Sequence, residues 1–348
     1  MAYTDTPHPS RRGSQGTSRR RRKTGIRLDY IFMAAVAIIA AVAVIMPQPP
    51  KQDPQMLNPQ VTTQPTETEE PTTLPTEPPT EPPTTAPIPV PLTFTAADEE
   101  LIHVKTYCSG FADSEMVAEA LERSLDWDML DGSFTVLIYH THLSESYTKS
   151  PGEEYEYRGG DPYRTDDPNY TTAAVGERIA EVLRQHGINV IHETRSMEIP
   201  NSDYAYYEAR DYLLEAVAEN PNIKLVLDIH RDAFTNSDGS QANPTVTVDG
   251  VEAAQMSMLI GHPGSYDWIW SRNLGFATKL GAQMNKMYPD MFRMLAINYD
   301  DTYYNQDAGP LSMLVEVGTA GNTLDEALKC AECLALTLVE MAKGANLE

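Results

Sequence analysis

Three short apolar runs of this chain lead into side chains that bind metal ions or carry protons. The first run is followed by two histidines, the second by an aspartate and a histidine, and the third contains a glutamate. In chain order these side chains are His140, His142, Asp228, His230 and Glu316. The carboxyl ends of parallel strands meet at one edge of an α/β sheet, where ligands bind. The residue types match a catalytic zinc site, which has three protein ligands and an open position for water.

The first pair of histidines offers one metal ligand and one supporting side chain. On a continuing strand His140 and His142 share a face, but a turn near Thr141 would separate them. We favour His142 as the ligand because Glu145 follows three residues later, and a tight turn brings both to one ion. The choice between the two histidines stays open at this point, and a pair of hydrogen-bonded structural histidines is the alternative.

The second cluster places several charges at the end of one apolar strand. Asp228 and His230 share a face there, and buried charges without partners are costly, so Arg231 and Asp232 beside them also need partners. We interpret His230 as a metal ligand and Asp228 or Asp232 as a group that orients a ligand imidazole. Arg231 is a candidate for stabilising the charge of the reaction intermediate. The alternative is a buried ion pair that only stabilises the sheet end.

Glu316 is the only charge in the core strand predicted over 312–317. Loss of water around such a carboxyl raises its pKa, which suits a general base that takes a proton from metal-bound water. A structural glutamate paired with an arginine is the alternative. The chain has no phosphate-binding loop, no dinucleotide-binding glycine motif and no Gly-x-Ser-x-Gly motif, so nothing supports nucleophilic serine or cysteine catalysis.

Alternating strands and helices must position these residues, which predicts an α/β fold with a mainly parallel twisted sheet and helices on both faces. The predicted strands are 135–140, 189–192, 224–229, 255–260 and 312–317, and the predicted helices are 172–185, 202–219, 268–287 and one that begins after Thr323. A hairpin turn is predicted at Asp249-Gly250, and Thr323 with Glu326 matches a capping box. The irregular segments 146–170 and 291–310 are candidate walls of a substrate groove.

The amino end predicts a membrane anchor. Residues 1–27 form a basic tail, 28–46 an apolar transmembrane helix, 47–95 a disordered linker rich in Pro, Thr and Glu, and 96–345 the folded catalytic domain. The basic flank predicts a cytosolic amino terminus and a translocated domain, that is, a single-pass protein of the cell membrane whose catalytic domain is extracytoplasmic. A cleaved signal peptide is the alternative.

Charge and cysteine content exclude other classes. After residue 51 the chain carries 17 basic and 48 acidic residues, a net of −31, which argues against nucleic-acid binding. Three cysteines give no disulfide framework. Cys330 and Cys333 lie in the apolar stripe of a predicted helix, which predicts core packing rather than metal binding.

At these residues the chain resembles the stage II sporulation protein P family of peptidoglycan hydrolases. The stretches that carry the resemblance are 139–147 (YHTHLSESY), 228–233 (DIHRDA), 304–307 (YNQD) and 314–318 (LVEVG). The resemblance covers about residues 100 to 345 and extends to an anchor and a tether before the domain. Leu143 stands where usual members have a second Thr or Ser.

The resemblance implies a zinc-dependent N-acetylmuramoyl-L-alanine amidase fold that removes stem peptides from glycan strands, with an endopeptidase activity on cross-links, during engulfment of the forespore. It implies as partners a lytic transglycosylase like stage II sporulation protein D and a membrane protein like stage II sporulation protein M. It also implies zinc ligands at His142, Glu145 and His230 and a base at Glu316. The wider amidase group has its ligand glutamate at the start of the first helix, where residues 166–170 offer none, so Glu145 is the inferred substitute.

Two other functions fit parts of the same pattern. One is a catalytically inactive scaffold that binds the wall, which need not hold stoichiometric zinc. The other is a zinc carboxypeptidase that trims wall peptides and uses the same ligand types.

Overall fold

The computed structural model describes residues 92–106, 113–123, 134–199, 201–261, 268–298 and 303–344. The predicted basic tail, the membrane anchor and nearly all of the linker lie outside these residues, so their predictions stay untested. Within the described part of the chain, no helix combines the length and the apolar character that a membrane crossing requires. The described residues all belong to one compact unit, Glu81–Glu348.

Nine strands are found among the described residues. They are β1 (Val104–Thr106), β2 (Thr135–Tyr139), β3 (Asn189–His192), β4 (Ile223–Asp232), β5 (Thr245–Val248), β6 (Val251–Ala254), β7 (Met256–Gly261), β8 (Phe292–Asn298) and β9 (Leu311–Thr319). Seven of them form one sheet in the order β1-β8-β7-β9-β4-β2-β3, and β5 pairs with β6 in a separate hairpin. Every pairing of the large sheet is parallel except that between β7 and β9. The predicted mainly parallel α/β sheet is therefore confirmed.

Five α-helices in the described ranges accompany the sheet. They are α1 (Asp113–Glu122), α2 (Thr172–Gln185), α3 (Ala205–Glu219), α4 (Trp268–Met287) and α5 (Leu324–Gly344). Alternate side chains of β2 enter two different cores, as the period of a strand requires. Val136 and Ile138 pack in a large core with residues of α2, α4 and α5, whereas Leu137 and Tyr139 pack in a smaller core with residues of α3. Helices thus cover both faces of the sheet.

Local signals in the sequence locate several elements well. The helix over 172–185, the helix over 268–287 and the strand over 189–192 have the predicted bounds. In the capping box, the Thr323 amide donates to Glu326 Oε2 at 3.0 Å and the Glu326 amide donates to Thr323 Oγ1 at 3.3 Å. Asp249 and Gly250 both have positive φ (52° and 82°), the backbone that a two-residue hairpin turn of type I′ needs.

The prediction that segment 291–310 is irregular is wrong over Phe292–Asn298, which is strand β8 in the interior of the sheet. Arg293 interrupts the apolar pattern of this strand, and its Nη2 pairs with Asp232 Oδ2 at 2.6 Å. A partner 61 residues away makes the charge tolerable inside the sheet, and no local pattern reveals it. The short elements β1 and α1 were not predicted either.

Candidate functional site

The candidate residues lie at the carboxyl ends of β2, β4 and β9, three neighbouring strands of the sheet. After β2 the chain moves outward to β3 and then returns to the other side of β2 as β4. This reversal of strand order opens a crevice at the carboxyl ends of β2 and β4, where α/β sheets place ligands. His230 on β4 lies directly opposite Glu316 on β9 in the parallel register, so two of the candidate side chains are neighbours on one face.

A turn after β2 sends His140 and His142 to opposite sides of the sheet. The strand ends at Tyr139, and residues 141–144 form the turn. The His142 ring lies edge to face with the His230 ring at a centroid distance of 5.5 Å. The His140 Nδ1–H instead points to the carbonyl of Ile229 at 3.0 Å, away from the candidate ligands. The structure therefore brings His142, and not His140, to His230.

His140 is buried and begins a chain of polar groups that leads through His192 to the exposed Glu177 on helix α2. Its Nε2 lies 2.9 Å from Nε2 of His192, and Nδ1 of His192 lies 2.8 Å from the Glu177 carboxylate. The pKa of His140 is lowered to about 3, mainly by burial and secondly by the electrostatic effect of His192. Gly176 leaves the space that the two rings occupy, because an added Cβ would lie 2.7 Å from the His192 ring and 2.8 Å from that of His140.

We expect Gly176→Ala to destabilise the protein by about 1–3 kcal/mol, the usual cost of forcing extra carbon into a packed interior. Gly275→Ala is the matched control, because Gly275 lies in helix α4 and an added Cβ meets only the Ala120 carbonyl at 3.8 Å. The control should be neutral or should gain the helix propensity of alanine, about 1 kcal/mol. Denaturant unfolding of both variants measures the difference, and equal stabilities would contradict the crowding at Gly176.

His230 lies between two carboxylates. Its Nδ1 is 3.3 Å from Glu145 Oε2, and its Nε2 is 3.0 Å from Asp228 Oδ1, an ion-pair contact without the alignment of a hydrogen bond. Asp228 in turn accepts hydrogen bonds from the amide and the hydroxyl of Thr141. Burial alone would lower the pKa of His230, but the charges of Asp228 and Glu145 outweigh it and hold this pKa well above its usual value.

The spacing of His230 and Glu145 suits a shared metal ion. Two ligands at about 2.0–2.2 Å from one tetrahedral zinc lie roughly 3.3–3.5 Å apart, and Nδ1 of His230 and Oε2 of Glu145 are 3.3 Å apart. His142 lies next to this pair through its ring, whose centroid is 5.5 Å from that of the His230 ring. No group of three or more His, Cys, Asp or Glu side chains in the described ranges has the arrangement of a metal site. The imidazole and carboxylate ligands are of the types that zinc binds, and the distance between His230 Nδ1 and Glu145 Oε2 suits a shared ion. The assignment of a metal to this site stays a prediction.

Glu316 lies beside this group on β9. Its Oε2 atom is buried and has no hydrogen-bond partner. Burial raises the pKa of Glu316 to about 8, against the opposing effect of the neighbouring His230. A carboxyl with an unengaged oxygen and a raised pKa is suited to accept a proton and give it back.

The guanidinium of Arg231 holds the loop that carries Glu145. Its Nε donates to the Ser146 carbonyl at 3.0 Å and its Nη2 to the Tyr163 carbonyl at 2.9 Å. The Arg231 backbone amide also donates to Glu145 Oε2 at 3.3 Å. These contacts position Glu145, and the predicted part of Arg231 in stabilising the reaction intermediate is not tested by them.

Glu198 is a residue of this site that the sequence analysis missed. It follows β3 at the same edge of the sheet, is 1% exposed, and has its Oε1 3.7 Å from Nδ1 of His142. Burial alone raises its pKa, but interactions with His142 and Ser144 and the charge of Arg164 lower it to about 2. The one available signal was an acidic residue shortly after a strand that neighbours β2.

A cavity of about 470 Å³ opens beside the turn 141–144. Leu143, Ser144, Thr165 and Ile199 are among the residues that line it. Outside this lining, the Tyr206 ring packs edge to face on the His142 ring at a centroid distance of 5.6 Å. The predicted groove wall at 146–170 therefore contributes Thr165 to a cavity whose lining also includes Ser144, the residue before Glu145.

The motif at 304–307 is held by hydrogen bonds to strand β7 and helix α3. Gln306 accepts from the Gly261 amide at 3.1 Å and donates to the Leu259 carbonyl at 2.6 Å, so it joins the loop to strand β7. Asp307 forms two contacts of 2.7 and 2.8 Å with the Arg210 guanidinium on α3. The side chains of this motif thus bind the protein's own strand and helix.

The chain belongs to the stage II sporulation protein P family, because the model of that family matches residues 49–338, well over half of the chain. The stage II sporulation protein P of Bacillus subtilis (strain 168) is 28% identical over 215 residues, which are 59% of this chain and 50% of that protein. The chain therefore spans about half the length of the curated relative that it matches.

Solved structures of amidases are similar at a lower level. N-acetylmuramoyl-L-alanine amidase AmiC2 of Nostoc punctiforme is 14% identical, with 60% of this chain and 97% of that chain covered and a TM-score of 0.35. The CwlD amidase of Clostridioides difficile, solved in complex with the GerS lipoprotein, is 14% identical, with 62% and 100% covered and a TM-score of 0.39. At these TM-scores neither likeness supports a conclusion about activity.

Proposed function

We propose that this protein is a zinc-dependent N-acetylmuramoyl-L-alanine amidase that cleaves stem peptides from peptidoglycan during sporulation. The observation that supports it best is the meeting of Glu145, His230 and Glu316, from segments up to 171 residues apart, with His142 against His230. Membership of the stage II sporulation protein P family supports the place of the reaction in sporulation.

In this proposal His142, Glu145 and His230 hold the metal, which when bound supplies a Lewis acid and a water acidic enough to react at neutral pH. Asp228 orients the His230 imidazole through Nε2 and leaves Nδ1 to the metal. Glu316 accepts the proton of the attacking water at its unengaged Oε2 and returns it to the amine that leaves. Arg231 holds the Glu145 loop and is the proposed group that stabilises the charge of the intermediate.

The substrate, location and partners of the protein are part of the same proposal. The cavity lined by Leu143 and Ser144, which follow His142 in the chain, is the proposed subsite for part of the stem peptide. The uncharged run over 30–46 anchors the protein in the cell membrane with the catalytic domain outside the cytoplasm. The proposed partners are a transglycosylase like stage II sporulation protein D and a membrane protein like stage II sporulation protein M, by family resemblance.

Mass spectrometry of purified walls digested by the full-length chain tests the bond that is cut. We expect free stem peptides with a new amino terminus at L-alanine, in amounts that depend on zinc. Peptides shortened by one carboxyl-terminal residue would instead indicate a carboxypeptidase, and cross-linked peptides cut in two would indicate the endopeptidase. Walls left intact by a protein that binds them would favour the inactive scaffold and contradict the amidase.

A further inference from the structure

Glu198 is a buried carboxylate with four hydrogen-bond donors around it. Its Oε2 accepts from the Ser144 amide at 2.8 Å and from Arg158 Nη1 at 3.1 Å. Its Oε1 accepts from the Ser144 hydroxyl at 3.0 Å and from Arg164 Nη1 at 2.8 Å. A carboxylate this deeply buried is tolerated only with such partners, so its place in the fold is strongly determined.

The same Oε1 atom also faces a candidate metal ligand. It lies 3.7 Å from Nδ1 of His142. That ring nitrogen is buried and has no hydrogen-bond partner. A distance of 3.7 Å is longer than a hydrogen bond, but hydrogen bonds at active sites often tighten only when the ligand is bound.

We propose that Glu198 is a positioning residue that holds His142 in the orientation that binds zinc, a proposal that rests on the proposed function above. Its carboxylate keeps the proton of the imidazole on Nδ1, so that Nε2 presents its lone pair to the metal. Glu198 itself touches neither metal nor substrate.

The two candidate imidazoles then have the same kind of support. His230 has Asp228 at 3.0 Å, and Asp228 is held by the amide and hydroxyl of Thr141. His142 has Glu198, which is held by the amide and hydroxyl of Ser144. Both supporting carboxylates therefore accept hydrogen bonds from the turn 141–144, which also carries His142. This one turn links the carboxylate behind His230 to the carboxylate behind His142.

Glu198→Gln tests this role through zinc affinity, measured on the zinc-free full-length chain by competition with a chelator. Gln keeps the shape of the side chain but removes the charge that holds the Nδ1 proton, so we expect binding to weaken by about 10- to 100-fold, as when other partners of zinc-binding histidines are removed. Wall hydrolysis by the variant should recover when zinc is added in excess, which a merely damaged fold would not do.

Asp161→Asn is the matched control. Asp161 pairs with Nε of Arg164 at 3.9 Å, as Glu198 pairs with Nη1 of the same arginine, but it makes no contact with His142 in the structure. We expect this variant to bind zinc like the wild type. A Glu198→Gln protein that is folded and binds zinc as tightly as the wild type would overturn the proposal.

A measurement on the wild type keeps the proposal testable if the variant fails to fold. Nitrogen NMR of the zinc-loaded, ¹⁵N-histidine-labelled chain should show His142 with a proton on Nδ1 and the metal on Nε2. Metal on Nδ1 would overturn the role of Glu198 and leave the amidase proposal standing. A wild-type chain that binds no zinc at all would overturn both, so the two failures are distinguishable.

Discussion

Glu316→Gln is expected to reduce the release of stem peptides from purified walls by about 100- to 10,000-fold, the range typical of a lost general base. The amide has nearly the shape of the carboxyl but cannot accept the proton of the attacking water. Because Oε2 of Glu316 is buried without a hydrogen-bond partner and burial raises the pKa of this carboxyl to about 8, a neutral side chain should fit at least as well. Unfolding and zinc binding should therefore stay at wild-type levels.

The matched control for this experiment is Glu181→Gln, the same chemical change on an exposed residue that pairs with Arg178 on helix α2. We expect wild-type hydrolysis from it. Initial rates of peptide release at equal zinc content compare the three proteins. A Glu316→Gln variant that keeps the wild-type rate would remove Glu316 from the reaction and leave the site without a proposed base.

His230→Ala is expected to abolish stoichiometric zinc binding and with it hydrolysis. The imidazole is the one described group placed between Glu145 at 3.3 Å and Asp228 at 3.0 Å. Its loss removes a ligand and also leaves two buried carboxylates without the group that separates them. The zinc affinity should fall by more than the roughly 10- to 100-fold seen when only a supporting partner is lost, and the zinc-free protein should lose about 3–5 kcal/mol of stability, as when a buried ion pair is broken.

Metal analysis after dialysis and thermal unfolding measure these two effects separately. Treating the wild type with a chelator should stop hydrolysis, and added zinc should restore it, whereas His230→Ala should not respond to zinc. His186→Ala is the control, because His186 caps the end of helix α2, with Nδ1 2.8 Å from the Val182 carbonyl. One equivalent of zinc retained by His230→Ala would refute the proposed ligand set.

Local sequence was enough to predict the parts of the fold that depend on near neighbours. Helix α2 ends where a Gly with positive φ follows, at Gly187. The capping box of Thr323 and Glu326 and the hairpin turn at Asp249 are contacts within four residues, and each appears in the structure as predicted. Cys330 and Cys333 are free and buried in the core, as their place in an apolar stripe predicts.

The candidate site could be predicted only as a set of residue types at strand ends. That His230 lies opposite Glu316 depends on β4 and β9 being neighbours, a pairing across more than 80 residues. Nothing within the His-x-His motif decides that His140 turns to His192 while His142 turns to His230. That choice comes from the turn after Tyr139, whose anchors are Asp228 and Glu198.

The amino-acid sequence by itself determined the periodicities, caps and turns of this protein, because those depend on interactions between residues a few positions apart. It also determined that imidazoles and carboxylates follow apolar strands, the pattern from which the metal chemistry is predicted. Only the tertiary structure decided which of these side chains meet, since Glu198 reaches His142 and Arg293 reaches Asp232 across 56 and 61 residues. A buried charge is tolerable only when it is paired, and here the paired group is far away in the sequence. Folding brings the two groups together, so the pairing cannot be predicted from neighbouring residues.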